Sequence, residues 1–485
     1  MTFSGECLAD ADFIIDRVLE VHPRPDFRLG SKLTAATSAF REEARQCQRV
    51  ADFWYAAQRF MAKIGDAHTL MGPLSTDVFT APVELELVSG QAVIRSVMPP
   101  FEDMLSRGDV VLFVDSQEVG FRLDAIRETT AFNYFDRGSR EAVKRLLEFP
   151  AGDRVQVVLT VARVSGEVQR IEVPLLRSDS AEMTAWRADM ARREVRRIIQ
   201  WSVLRDGMGY FRYALCHDRT SPRLVAEARE IGVGPDELPA LGDSARAFFD
   251  VVRAQGLSTV VIDLRGNPGG NSEIARPLLN YICRKPIRSY GVVVKVSRAV
   301  QDYLSARWQS LYPVSFKPFV EQYLESAAGQ FIEVPHRVLE FPYDGSQCDD
   351  VWQFPGRLVV LTDAGTFSSG EFFAAELRDN GVGVFVGEPT GGGGTVPGDQ
   401  IDFETPYLKL KFSVSYKLFT RPDRQAECLP AVVPDYFVSQ ALQDYRRGED
   451  TVLNWVIQHQ RDLLRRWAFA GSRRGRPMLR AGEFG

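Results

Sequence analysis

Ser258-Thr259-Val260-Val261-Ile262-Asp263-Leu264-Arg265-Gly266-Asn267-Pro268-Gly269-Gly270 is the stretch whose reading decides the fold. Its first half is a short apolar, β-branched run without alternation, the pattern of a strand buried on both faces. Its second half places three glycines within five residues, and a helical stretch follows to about Ile282. The same order recurs at Leu358-Val359-Val360-Leu361-Thr362, where a loop leads into a predicted helix from Ser369 to Asp379, stopped by Asn380-Gly381. Val384-Phe385-Val386 is the next strand. Strand and helix in alternation predict an α/β layer with mainly parallel strands. Longer insertions near 215–245 and 300–350 interrupt it.

The chain before this core has two other textures. Apolar residues at helical spacing, Phe13, Ile14, Val18 and Leu19 and then Phe53, Trp54, Ala57 and Phe60, predict a helical segment. From about residue 80 the period becomes two, as in Val83 to Leu87 and Ala92 to Val97. Leu105 to Asp115, with its Gly108-Asp109 turn, then a helix around 139–147 and a strand over Val155–Val161, resemble a PDZ domain. The expected division is 1–76 helical, 77–178 PDZ-like, 179–445 α/β core and 446–485 a C-terminal helix with a basic tail.

Length and composition agree with several units. At 485 residues the chain exceeds one core of roughly 150 residues. An apolar fraction of 45% with 25% charged residues excludes wholesale disorder. No run approaches the 18 apolar residues of a membrane-spanning helix, and a net charge of −5 argues against nucleic acid or an anionic membrane as partner. The acidic first twenty residues predict no secretory signal, hence a cytoplasmic location. Six scattered cysteines without a CxxC pair exclude a zinc knuckle and suggest no disulfide framework. The arginines crowding the last 25 residues read as a solvated end.

Two turns could carry chemistry. Glycines directly after a buried strand let the backbone approach a ligand and turn N–H groups toward an anion; the alternative is a tight strand-to-helix turn. No GxGxxG or GKS/T accompanies them, which disfavours a nucleotide. In Thr366-Phe367-Ser368-Ser369-Gly370-Glu371, Ser368 stands where a loop enters a helix, a place that favours developing negative charge. A serine there is most often an N-cap, but Ser369 can cap equally well. A serine nucleophile needs a base. Of His22, His68, His217, His336 and His459, the first and last read as structural or surface residues, and His217 and His336 lie in the insertions. His68 lies in a loop leaving the helical segment.

Gly65-Asp66-Ala67-His68-Thr69, Asp263 to Gly270, Thr366 to Glu371 and Gly387-Glu388-Pro389-Thr390-Gly391, in that order, resemble the tail-specific, C-terminal processing and tricorn-type serine peptidases. Met208 to Arg212 and Val433-Pro434-Asp435 resemble the opening strand and closing motif of their core. The resemblance spans about residues 10–440. It implies a crotonase/Clp-protease-like core preceded by a PDZ domain. It also implies Ser368 as nucleophile, Glu371 as the family's glutamate, and an oxyanion hole from the N–H of Ser369 and one from Gly269 or Gly270.

The base divides that family. One branch carries a lysine in a Thr-x-Gly-Lys-Gly loop, but here the loop is Thr390-Gly391-Gly392-Gly393-Gly394-Thr395 and glycine replaces it. The resemblance therefore favours the tricorn-like branch, with His68 as base and Glu427, seven residues before Pro434, as its carboxylate. Cys428-Leu429 follows where the family has a glycine-valine step, and Ala67 stands where tricorn has a serine. Lys409 and Lys411 are fallback bases on a strand from Tyr407 to Val414. The expected activity is hydrolysis of peptides or unfolded proteins, including C-terminal tails, without metal or cofactor. The PDZ-like segment would capture a peptide C-terminus by strand addition. Relatives often form homo-oligomers, with no symmetry fixed here. Two alternatives stay open: a non-catalytic ligand- or peptide-binding protein on the same scaffold, and acyl transfer on a small biosynthetic peptide.

Overall fold

The computed structural model describes residues 2–25, 30–74, 78–132, 135–150, 154–205, 207–311, 317–341, 352–426, 429, 431–460 and 479–480. Its centre is a sheet in which Ile199–Val203, Gly209–Tyr213, Thr259–Asp263, Arg357–Thr362, Val384–Gly387 and Tyr436–Phe437 lie side by side. The first pair is antiparallel and the following ones are parallel. All five residues of Thr259–Asp263 are buried, as a β-branched run with helices on both faces requires. Helices Leu241–Ala254 and Ser369–Asp379 cover one face through Phe248, Phe249, Val252, Phe373 and Leu377. Helix Thr451–Gln458 covers the other with Val452 and Val456.

A second sheet is built around the long strand Lys411–Thr420. It pairs antiparallel with Val396–Glu404, with Gly291–Lys295 and, at its start, with the short strand Leu70–Met71. The helices Phe3–Val21, Leu33–Gln46 and Val50–Ile64 pack on this sheet. Ile14, Val18, Phe53 and Phe60 share one apolar cluster with Val294, Phe412, Val414 and Tyr416. The expected strand from Tyr407 therefore begins later, at Lys411. Lys409 occupies a left-handed turn (φ 56°) and is exposed, as is Lys411.

Residues 78–177 form a β-rich unit with its own core of Leu85, Ile94, Val111, Leu159 and Val161. Its sheet runs Val83–Val88, Gln91–Val97, Val110–Val114, Gln156–Ala162, Val168–Pro174, with Val83–Val88 at an edge beside helix Phe135–Lys144. Among the described residues no helix is long and apolar enough to cross a membrane. The four described cysteines, Cys7, Cys47, Cys216 and Cys283, are buried and free. The arginine-rich stretch 461–478 lies outside the described residues.

Candidate active site

The turn between strand Arg357–Thr362 and helix Ser369–Asp379 is held from below by one carboxylate. Asp363 Oδ1 accepts from the N–H groups of Gly365 (2.9 Å), Thr366 (3.1 Å) and, from the neighbouring turn, Gly266 (2.8 Å). Thr366 Oγ1 donates to Leu264 O at 2.9 Å, and Phe367 N–H donates to Asn267 O at 2.8 Å. The two turns are thus laced together before Ser368 is reached. Ser368 then adopts φ 51° and ψ −126°, a conformation a serine adopts only where its surroundings over-determine it. The result is an Oγ at the mouth of the helix, with helical N–H groups behind it.

The glycines opposite are a steric necessity. A Cβ on Gly269 would sit 2.7 Å from Ser368 Cβ and 2.8 Å from Ser369 N, and its φ of 103° disfavours any side chain. Gly269 N–H is engaged, donating to Asn267 Oδ1 at 2.9 Å. The N–H groups of Gly270 and Ser369 have no acceptor among the described residues. Ser369 Oγ instead binds Gly270 O at 2.7 Å and clamps the turns together. Of the two glycines, then, Gly270 has the N–H free to meet an anion.

His68 arrives from the other sheet. Helix Val50–Ile64 stops at Gly65 in the left-handed conformation (φ 75°), and the loop that follows is fastened by Asp66. Oδ1 of Asp66 accepts the N–H of His68 at 3.0 Å; Oδ2 accepts Thr69 Oγ1 and Ser415 Oγ, each at 2.6 Å. The loop then pairs Leu70 with Ser413. This brings His68 Nε2 to 3.2 Å from Ser368 Oγ, across 300 residues of sequence. Phe367 stacks on the imidazole with centroids 5.1 Å apart, and Arg137 lies 3.9 Å above the other end of that contact.

Glu371 sits one turn into the helix, fully buried. Oε1 accepts Thr390 Oγ1 at 2.9 Å, while Oε2 has no partner among the described residues and abuts Gly392, where any side chain would overlap it. Burial pushes its carboxyl up to about 8, against the opposing hydrogen bond of Thr390 and the charges of Arg421 and Arg137. It does not touch Ser368 Oγ. Glu427 lies outside the described residues. Lys409 Nζ is 3.9 Å from Glu404, on the surface.

Sequence reading missed three contributors. Asp66 stood within the quoted Gly-Asp-Ala-His-Thr run, and its spacing to His68 and Thr69 is that of a carboxylate folding onto its own following backbone. Asn267 turns its Oδ1 onto the N–H of Gly269 two residues on, inside the quoted run, whereas Ser415 acts through a contact distant in sequence and leaves no local signal. His22, read as a structural or surface residue, is fully buried and faces Asp66 with Nε2 at 3.3 Å. Among the described residues no group of three or more His, Cys, Asp or Glu is placed to hold a metal ion.

A cavity of about 1480 Å³ runs from the Val83–Val88 edge and helix Phe135–Lys144 to Gly266, Pro268 and Gly365, in the turns that flank Ser368. Arg140 crosses it, with NH1 3.1 Å from Asp363 and NH2 3.2 Å from Glu388. Such a set can transfer an acyl group: an oxygen nucleophile, an imidazole in reach of it, and two N–H groups near it.

Residues 238–436 match the model of peptidase family S41. Among solved structures the chain is similar to mature CPAF at 14% identity, covering 97% of this chain and 99% of the other with a TM-score of 0.68. A complex of mature CPAF with lactacystin aligns at 13% identity, 96% and 99% coverage and TM-score 0.67. A serine-to-alanine mutant of CPAF aligns at 14%, 98% and 100%, with 0.69.

Proposed function

We propose that this serine-type peptidase of family S41 hydrolyses peptides or unfolded protein tails through an acyl-enzyme on Ser368. The observation that carries the reading is the 3.2 Å approach of His68 Nε2 to Ser368 Oγ. Serine is a weak nucleophile until a base takes its proton, and imidazole does this near neutral pH. In the proposed reaction Ser368 Oγ attacks the scissile carbonyl carbon as its proton passes to His68 Nε2. The carbonyl oxygen becomes an oxyanion facing the N–H groups of Gly270 and Ser369. The imidazolium returns the proton to the leaving amine, and water then repeats the cycle on the ester. The family resemblance offers Glu427 as the carboxylate of His68; Asp66, with Oδ1 3.6 Å from His68 Nδ1, is the other candidate.

The substrate route we propose follows the cavity. A peptide C-terminus would add to the Val83–Val88 edge beside helix Phe135–Lys144, and its upstream residues would lead toward Gly266 and Pro268. Amidation of the C-terminus should weaken binding of such a peptide; equal affinity for acid and amide removes the tail-capture part.

The test of the reaction is intact-mass analysis after a fluorophosphonate, on wild type, Ser368→Ala and His68→Ala. Lactacystin, the partner of one structural neighbour, serves as a second probe. Adduct on the wild type alone is expected. A folded wild type that takes up neither probe and leaves a peptide library intact turns the reading into a peptide-binding protein.

A further inference from the structure

His22 and Asp66 form a buried pair behind His68, and the hydrogen bonds around them fix where the protons sit. The N–H of Arg24 donates to His22 Nδ1 at 3.1 Å. An Nδ1 that accepts carries no proton, so the hydrogen of this neutral imidazole is on Nε2, which donates to Asp66 Oδ2 at 3.3 Å. Asp66 is completely buried; burial opposes its charge, yet the hydrogen bond of His22 and the neighbouring His68 hold its carboxyl well below the usual range.

The donors are distributed unevenly over the carboxylate. Oδ2 takes Thr69, Ser415 and His22, whereas among the hydrogen bonds of the described residues Oδ1 takes the backbone N–H of His68 and lies on the side of the ring. His68 Nδ1 is buried, lacks a hydrogen-bond partner among the described residues, and lies 3.6 Å from that Oδ1. A buried N–H without an acceptor is costly, and hydrogen bonds of a resting site commonly close up when substrate binds. From this geometry we infer that Asp66, seated on His22, is the carboxylate that orients the His68 imidazole, with His22 and Asp66 as positioning residues.

The arrangement keeps the proton of His68 on Nδ1 and so leaves the Nε2 lone pair directed at Ser368 Oγ. It ties the base to the end of the first helix, because His22 is the C-cap of Phe3–Val21 and is held by its own N–H to Val18 O. The inference rests on the proposed role of His68, so its test reads the imidazole directly as well as the reaction.

The full chain labelled with ¹⁵N-histidine is examined by long-range ¹H–¹⁵N correlation at neutral pH, with His→Gln variants for assignment, alongside the rate of fluorophosphonate labelling. The expected wild type has His68 protonated on Nδ1 and His22 protonated on Nε2. Asp66→Asn should mix the tautomers of His68 and slow labelling by roughly 10³-fold or more. His22→Ala should slow it about tenfold, and His22→Gln, whose amide can still reach Asp66, should recover most of that. Glu427→Gln should leave the His68 tautomer unchanged.

A wild-type His68 protonated on Nε2 overturns the inference without any variant, which covers the case of an Asp66→Asn chain that does not fold. It is equally overturned if Asp66→Asn keeps the tautomer and the rate while Glu427→Gln alters both. If the probe fails on every variant but Asp66→Asn still mixes the tautomers, the inference stands and the hydrolase reading falls.

Discussion

Ser368 and His68 meet at one point but are held there by different means. The serine stands in a turn where backbone packs against backbone. Gly269 lies against it with no room for a methyl group, Asp363 gathers three N–H groups beneath, and Ser368 itself accepts a positive φ. The histidine stands in a loop held by side-chain hydrogen bonds converging on one carboxylate, Asp66, from the first helix, the loop itself and the strand Lys411–Thr420. Steric constraint is stiff and all-or-none, since overlap is not relieved by small shifts. A hydrogen-bonded node loosens by degrees, one donor at a time. The nucleophile half is therefore preorganised by shape and the base half by polarity.

The largest effect expected from breaking this contrast is at the stiff half. Gly269→Ala puts a Cβ 2.7 Å from that of Ser368 in a backbone region unfavourable to alanine, and should cost about 2–4 kcal/mol of stability. Labelling of Ser368 should fall by roughly 10³-fold as the turns separate. Thermal unfolding and probe kinetics on the same sample check both; a variant that labels at the wild-type rate would show that the contact is not what holds Ser368.

Next in size is a pH effect from the same half. Glu371 is held protonated to about pH 8, whereas in the unfolded chain it ionises near 4.5. The folded state thus binds the extra proton, and stability should decline as pH rises from about 5 toward 8, by up to a few kcal/mol in total. Glu371→Gln should remove that decline, with little change near pH 4. Urea midpoints at pH 5 and 8 decide it; equal slopes for both proteins would place the carboxylate's charge in contact with a partner or water.

The smallest effect belongs to the softer half. Thr69→Val deprives Asp66 of one donor and the N–H of Ser415 of its 3.1 Å acceptor, at a cost of about 1–3 kcal/mol. Labelling should slow about tenfold with Ser368 still reactive. A loss as deep as that of Gly269→Ala would mean that both halves are equally rigid.

Legibility in the sequence follows the same division. The helix Ser369–Asp379 and the strands Thr259–Asp263 and Arg357–Thr362 were readable because buried β-branched runs and helix stops are local patterns. The Gly-rich turn was readable as a close approach, though which glycine N–H stays free depended on Asn267 folding back onto Gly269. The Tyr407 start of the strand was misread because Leu408 and Leu410 alternate with lysines in a turn as they would in a strand.

By itself the sequence determined the order of elements, the serine at a helix mouth, the glycines beside it and the absence of a lysine from the Thr390–Thr395 loop. These depend on residues adjacent in the chain, where periodicity, glycine and caps act over a few positions. Only the tertiary structure decided that His68 reaches Ser368, that His22 and Ser415 stand behind Asp66, and that Glu371 is a buried acid holding its proton. Each depends on burial and on contacts between segments up to 349 residues apart, about which local spacing carries no information.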